Sequence, residues 1–156
     1  MISSKMSNFG DNSVATTPMD NLQRFLDGQR FGYETALNEM KAGEKRNHWI
    51  WYIFPQIKGL GHSPNAQYYG IKDLDEAKAY LEHPVLGVRL REITQEVLNH
   101  SNRGIYAIMG ARIDVMKFKS SMTLFDAVSP KDIFVKALDT FFEGSRDKQT
   151  IELVNE

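Results

Sequence analysis

Two stretches of this 156-residue chain hold the side chains through which it could act on another molecule. The first, residues 48–64, carries both tryptophans, Trp49 and Trp51, and two of the four histidines, His48 and His62, with Gln56 between them. A histidine titrates near neutrality and can serve as general acid or base. His48 and His62 are therefore the candidate catalytic pair, if the turn marked by Pro55, Gly59 and Gly61 folds back on the run before it. The plain alternative puts His48 on backbone groups and His62 in solvent. An indole can stack on a planar ligand, and the Gln56 amide can orient one. In a helix Trp49 and Trp51 point about 200° apart, so if one joins the core the other can face a pocket.

The second stretch is Asp114–Phe125. On a helix Asp114, Lys117 and Ser121 fall at i, i+3 and i+7, a polar stripe beside the apolar Val115, Phe118, Met122 and Phe125. Lys117 and Lys119 stand among Ser120, Ser121 and Thr123, a grouping of cations and hydroxyls that suits a phosphate or carboxylate. A serine beside a lysine can also act as a nucleophile. The plain alternative is a solvated face with an Asp114–Lys117 surface pair worth ~0.3–0.5 kcal/mol. The candidate ligand-binding residues are thus Trp49, Trp51, Gln56, Asp114, Lys117, Ser120 and Ser121. They imply a pocket between residues 48–64 and 114–123 for a small anionic, nucleotide-like ligand. Helix starts at Ser63-Pro64 and Ser129-Pro130 add weaker anion-attracting ends.

Composition removes several classes. The chain has no cysteine, which excludes disulfides, thiolate metal sites and cysteine nucleophiles. No third ligand accompanies His48 and His62, so no metal is expected. P-loop, Rossmann, HExxH, GxSxG and EF-hand patterns do not occur, and no cofactor is identified. A net charge of −1, with lysines and arginines scattered and matched by acids, points away from nucleic acid. No apolar run approaches the ~20 residues of a membrane span, and the N-terminus lacks the basic-then-apolar order of a secretory signal. A cytoplasmic protein with no membrane contact is the expectation.

With 42% apolar and 25% charged residues, the chain suits one soluble domain. Residues 1–17 are polar and aperiodic, the mark of a disordered leader, and 18–156 are expected to form a single domain. The pattern predicts an all-α fold of about eight short-to-medium helices. Asp20 would cap a short helix with Leu22, Phe25 and Leu26 inward, and Gly28 and Gly32 would separate it from a second helix ending at Gly43. Asn47 would cap a short buried helix over 48–54 that stops at Pro55. Further helices are expected from Pro64 to Tyr69, after Asp73 or Asp75, from Val85 to Leu98, at 105–109, over 112–127, from a Ser129-Pro130 cap to Gly144, and over 147–154.

The segments Leu22-Gln-Arg-Phe-Leu26, His48-Trp-Ile-Trp-Tyr-Ile-Phe-Pro-Gln56, Gly59-Leu-Gly-His-Ser-Pro64, His83-Pro-Val-Leu-Gly87, Arg89-Leu-Arg-Glu92 and Lys117-Phe-Lys-Ser-Ser-Met-Thr-Leu-Phe125 stand in this order over about residues 20–142. In them the sequence resembles a mostly bacterial family, domain of unknown function 1810. The resemblance implies a small, mainly helical domain and transfers no activity or catalytic residue. Two readings follow for the chain, enzymatic or not: a pocket for a small anion, or a protein–protein interaction module using the aromatic 48–57 segment.

Overall fold

Gly28 and Gly32, expected to divide the first helical stretch, lie inside one continuous helix, α1 (Gln23–Ala42), in a computed structural model that describes residues 21–155. A helical glycine costs about 1 kcal/mol relative to alanine, and here the backbone uses the missing side chain. A Cβ on Gly28 would meet Tyr52 Cγ at 2.9 Å, and one on Gly32 would run into the hydroxyl end of the same ring. The two glycines form a groove that admits Tyr52. Where the helix does end, Gly43 takes φ 82° and its N–H returns to the last turn. The 1–17 leader, its boundary at Pro18 and the Asp20 cap lie outside the described residues.

Eight further α-helices follow among the described residues: α2 (Ile50–Ile53), α3 (Pro64–Tyr69), α4 (Leu74–Glu82), α5 (Leu86–Asn99), α6 (Ile105–Met109), α7 (Arg112–Val128), α8 (Ile133–Phe142) and α9 (Lys148–Val154). A 3₁₀ turn, Ser101–Arg103, precedes α6. The all-α expectation holds. The described residues contain no strand, only an isolated parallel bridge between Ile57 and Ile71. Side-chain caps open α3, α4 and α9: Ser63 accepts from Ala66 N at 3.1 Å, Asp73 from Glu76 N at 2.9 Å, and Asp147 from Thr150 N at 3.0 Å. Such caps are each worth about 1 kcal/mol. Two expected caps are corrected. Asn47 does not cap α2, because its N–H and side-chain amide are turned to Glu39. Asp132, not Ser129, opens α8, and the Ser129 hydroxyl donates to Asp132 at 2.8 Å.

The centre of the fold is α7. It packs against α8, α4, α9, α6 and α2, and every residue from Ser120 to Phe125 is buried. Over this buried run the helix has no solvent face, and two of its hydroxyls bond to their own backbone. Ser120 Oγ donates to Met116 O at 3.0 Å and Thr123 Oγ1 to Lys119 O at 2.8 Å. Around α7 the rings of Phe54 and Phe118 meet edge-on at 5.0 Å, and Phe25 and Tyr80 do so at 5.1 Å. The N-terminal half of α7 emerges from this core, and that is where a site can form.

Candidate functional site

The wall formed by α7 presents Ile113, Met116, Lys117 and Ser120, spaced i, i+3, i+4 and i+7 on one helical face. Opposite it runs the segment from Gln56 to Ala66. Ile57 fixes that segment from below: Ile71 N donates to Gln56 O and Lys58 N to Ile71 O, each at 2.8 Å. Trp51 lines the same space, as do Asp147 and Gln149 at the start of α9. These walls enclose a cleft of about 430 Å³, whose lining also includes Leu60, His62 and Ser63. A second hollow of about 280 Å³ continues past Leu60, His62 and Gln149 to Glu152 and Leu153. The first volume falls in the range of small-molecule sites, roughly 300–1,000 Å³.

The two tryptophans divide as their spacing requires. Trp49 is 1% exposed and belongs to the core. Its Nε1 donates to Glu39 Oε1 at 2.8 Å. The same carboxylate accepts from the N–H groups of Arg46 and Asn47, at 2.7 and 3.1 Å, and from the Asn47 side chain. Burial alone would raise the Glu39 pKa, but these donors outweigh it and hold the carboxyl below its ordinary value. Glu39 thereby fixes the turn that delivers Trp51 to the cleft. Trp51 Nε1 is buried and finds no hydrogen-bond partner among the described residues, and the same is true of Ser121 Oγ.

Lys117 is the cation of the cleft. Its Nζ stands 4.7 Å from the centroid of the Trp51 ring. Asp114, one turn earlier, pairs with Lys45 instead, Nζ to Oδ2 at 3.0 Å, in side chains only 5% and 15% exposed. Among the described residues no carboxylate forms an ion pair with Lys117. Desolvation lowers the pKa of its ammonium; Asp114 opposes this and Lys45 adds to it, and the balance is downward. Asp147, the one acid on the lining among the described residues, already accepts from Thr150 N at 3.0 Å and from the Thr150 hydroxyl at 2.5 Å.

Of the residues singled out by sequence, Trp51, Gln56, His62, Lys117 and Ser120 meet at the cleft, and His48, Trp49, Asp114 and Ser121 do not. His48 is exposed and does not join His62. Asp114 and Ser121 belong to a stripe rotated from the one that faces the cleft, and Lys117 sits where the two overlap. Ser120 reaches the wall with its hydroxyl already donated to Met116. Ile113, Met116, Leu60, Asp147 and Gln149 went unsingled. The first two carry a legible signal, apolar positions flanking Lys117 outside the core stripe; for Asp147 and Gln149 nothing local connects them to α7.

Among the described residues no three His, Asp or Glu side chains gather as metal ligands, and no helix is long and apolar enough to cross a membrane. No curated protein matches the chain. A similar solved structure is the crystal structure of the conserved hypothetical protein Rv1873 from Mycobacterium tuberculosis, 42% identical, with a TM-score of 0.84 over 87% of this chain and 97% of that one. A family model described as "Protein of unknown function (DUF1810)" matches residues 19–154, and the chain belongs to that family.

Proposed function

We propose that the cleft between α7, residues 56–66 and the start of α9 binds a small anion with an apolar or planar body, a nucleotide-like compound or an aromatic carboxylate. The observation that carries this is Lys117: an ammonium over Trp51, inside an apolar-walled cleft, with its near acid Asp114 held by Lys45. A cation so placed attracts a phosphate or carboxylate more strongly than an exposed one, because less water competes. His62 and Gln56 stand on the same lining to orient a ligand or move a proton.

The reading is tested by thermal shift of wild type and Lys117→Ala against nucleotides, sugar phosphates and aromatic carboxylates. A ligand at ~100 times its dissociation constant adds ~2.7 kcal/mol, so melting should rise in wild type and not in Lys117→Ala. No rise with any anion, or an equal rise in both proteins, overturns it. The interaction-module reading has less support, because Trp49, Ile50, Ile53, Phe54 and Ile57 are all buried and leave the 48–57 segment little surface to offer a partner.

A further inference from the structure

Resting on the reading that this cleft takes a small anion, we propose that Lys117 is an imine-forming amine, which condenses with the carbonyl carbon of an α-keto acid bearing an apolar side chain. The placement of the amine comes first. Lysines of ordinary function hold Nζ in water, whereas Lys117 is half-buried, with Trp51, Ile113, Met116 and Leu60 lining the same cleft. Its charge environment comes second. Asp114 would normally hold an ammonium one turn away, but its carboxylate is engaged by Lys45, which brings a second cation close to Lys117. Desolvation and a neighbouring cation are the two means by which a lysine becomes nucleophilic near neutral pH. Both act here against Asp114, and the ammonium is correspondingly easier to deprotonate. Among the described residues the remaining titratable groups on the lining are His62 and Asp147.

The substrate class follows from the same walls. The apolar lining takes the side chain, and the ammonium attracts the carboxylate and so brings the adjacent carbonyl to the nitrogen. The Lys117 ammonium first passes a proton to the His62 ring, and the lone pair so freed adds to the carbonyl carbon. The displaced π pair takes the proton that the adding nitrogen releases, which gives a neutral carbinolamine. The nitrogen pair then expels the hydroxyl, which leaves as water with the proton returned by His62. One C–N double bond forms, one C–O double bond is lost and one water departs. No oxidant or reductant is needed. The iminium keeps its positive charge beside the carboxylate, as the ammonium did.

The test incubates the full chain with phenylpyruvate, reduces with cyanoborohydride and maps the adduct by peptide mass spectrometry. Phenyllactate, which lacks the keto group, is run alongside by thermal shift. The expected product is Lys117 carrying the acid less one oxygen atom, in about tenfold or greater excess over any other lysine. That preference should vanish in urea. Melting raised by phenyllactate with no preferred adduct at Lys117 overturns the imine and leaves anion binding standing. No rise with either acid, and adducts spread as in the unfolded chain, overturns both.

Discussion

Gly28→Ala is the sharpest test of how α1 meets the aromatic segment. By helix propensity alone the substitution stabilises, by about 1 kcal/mol. The structure reverses the sign. The new methyl would lie 2.9 Å from Tyr52 Cγ and 3.2 Å from its Cβ, where carbon atoms ordinarily stand about 3.5–4.0 Å apart. These atoms are the root of the side chain and cannot swing aside as its hydroxyl end could. Overpacking of this kind costs ~1–3 kcal/mol, so the net effect in wild type is a loss of about 1 kcal/mol. A Tyr52→Ala background removes Cγ but keeps Cβ, and the Tyr69 hydroxyl still lies 3.1 Å from the new methyl, so the loss should fall to about zero rather than become a gain. The cycle therefore predicts a coupling of about 1 kcal/mol between positions 28 and 52. Equilibrium urea unfolding of the four proteins measures it. Stabilisation by Gly28→Ala in both backgrounds, with no coupling, would refute the close approach.

Two further substitutions probe buried polar groups. Glu39→Gln replaces a carboxylate that accepts from two backbone N–H groups, Asn47 and Trp49 Nε1, and should cost about 2 kcal/mol near neutral pH. Because the folded-state pKa lies below the unfolded one, this contribution is complete above the unfolded value of about 4.3 and fades as pH falls through the folded one. The gap between wild type and Glu39→Gln should accordingly narrow in acid, and urea midpoints showing a constant gap would contradict the assignment. Ser121→Ala removes a fully buried hydroxyl with no partner among the described residues, and should be neutral or stabilise by up to about 1 kcal/mol. A loss larger than that in thermal unfolding would mean the hydroxyl is satisfied.

Elements set by local chemistry were legible in the sequence. Ser63-Pro64 opens a helix where its capping oxygen predicts, Asp73 is the one of the two candidates that caps the next, and Gly43 closes α1 at φ 82°. The failures share a cause. Gly28 and Gly32 carry the same signal as a helix break, and only the distant Tyr52 ring tells the two apart. Asn47 and Ser129 have capping side chains, but Glu39 and Asp132 engage them first. In each case another contact outweighed a local preference of about 1 kcal/mol, across the fold for Tyr52 and from a nearby stretch of chain for Glu39 and Asp132.

The cleft follows the same division. Trp51, Gln56, His62, Lys117 and Ser120 share one cleft lining, and the position of each depends on the geometry of its own segment. The difference lies in the phase of α7. A polar stripe through Asp114 and Ser121 suggested the active face, but hydroxyls on a helix enclosed by its neighbours turn to their own backbone, as Ser120 and Thr123 do. The face that meets solvent is the more apolar one, through Ile113 and Met116, which are 63% and 43% exposed. Lys117 belongs to both faces, and which of them it serves depends on Asp114. Had Asp114 held Lys117, the pair would have been an ordinary surface contact. Lys45 takes that carboxylate, and it reaches it from a turn fixed by Glu39 and by Lys45 N donating to Ile108 O at 2.7 Å. The availability of the cleft's cation is therefore decided by Lys45, which lies outside both stretches that the sequence singles out.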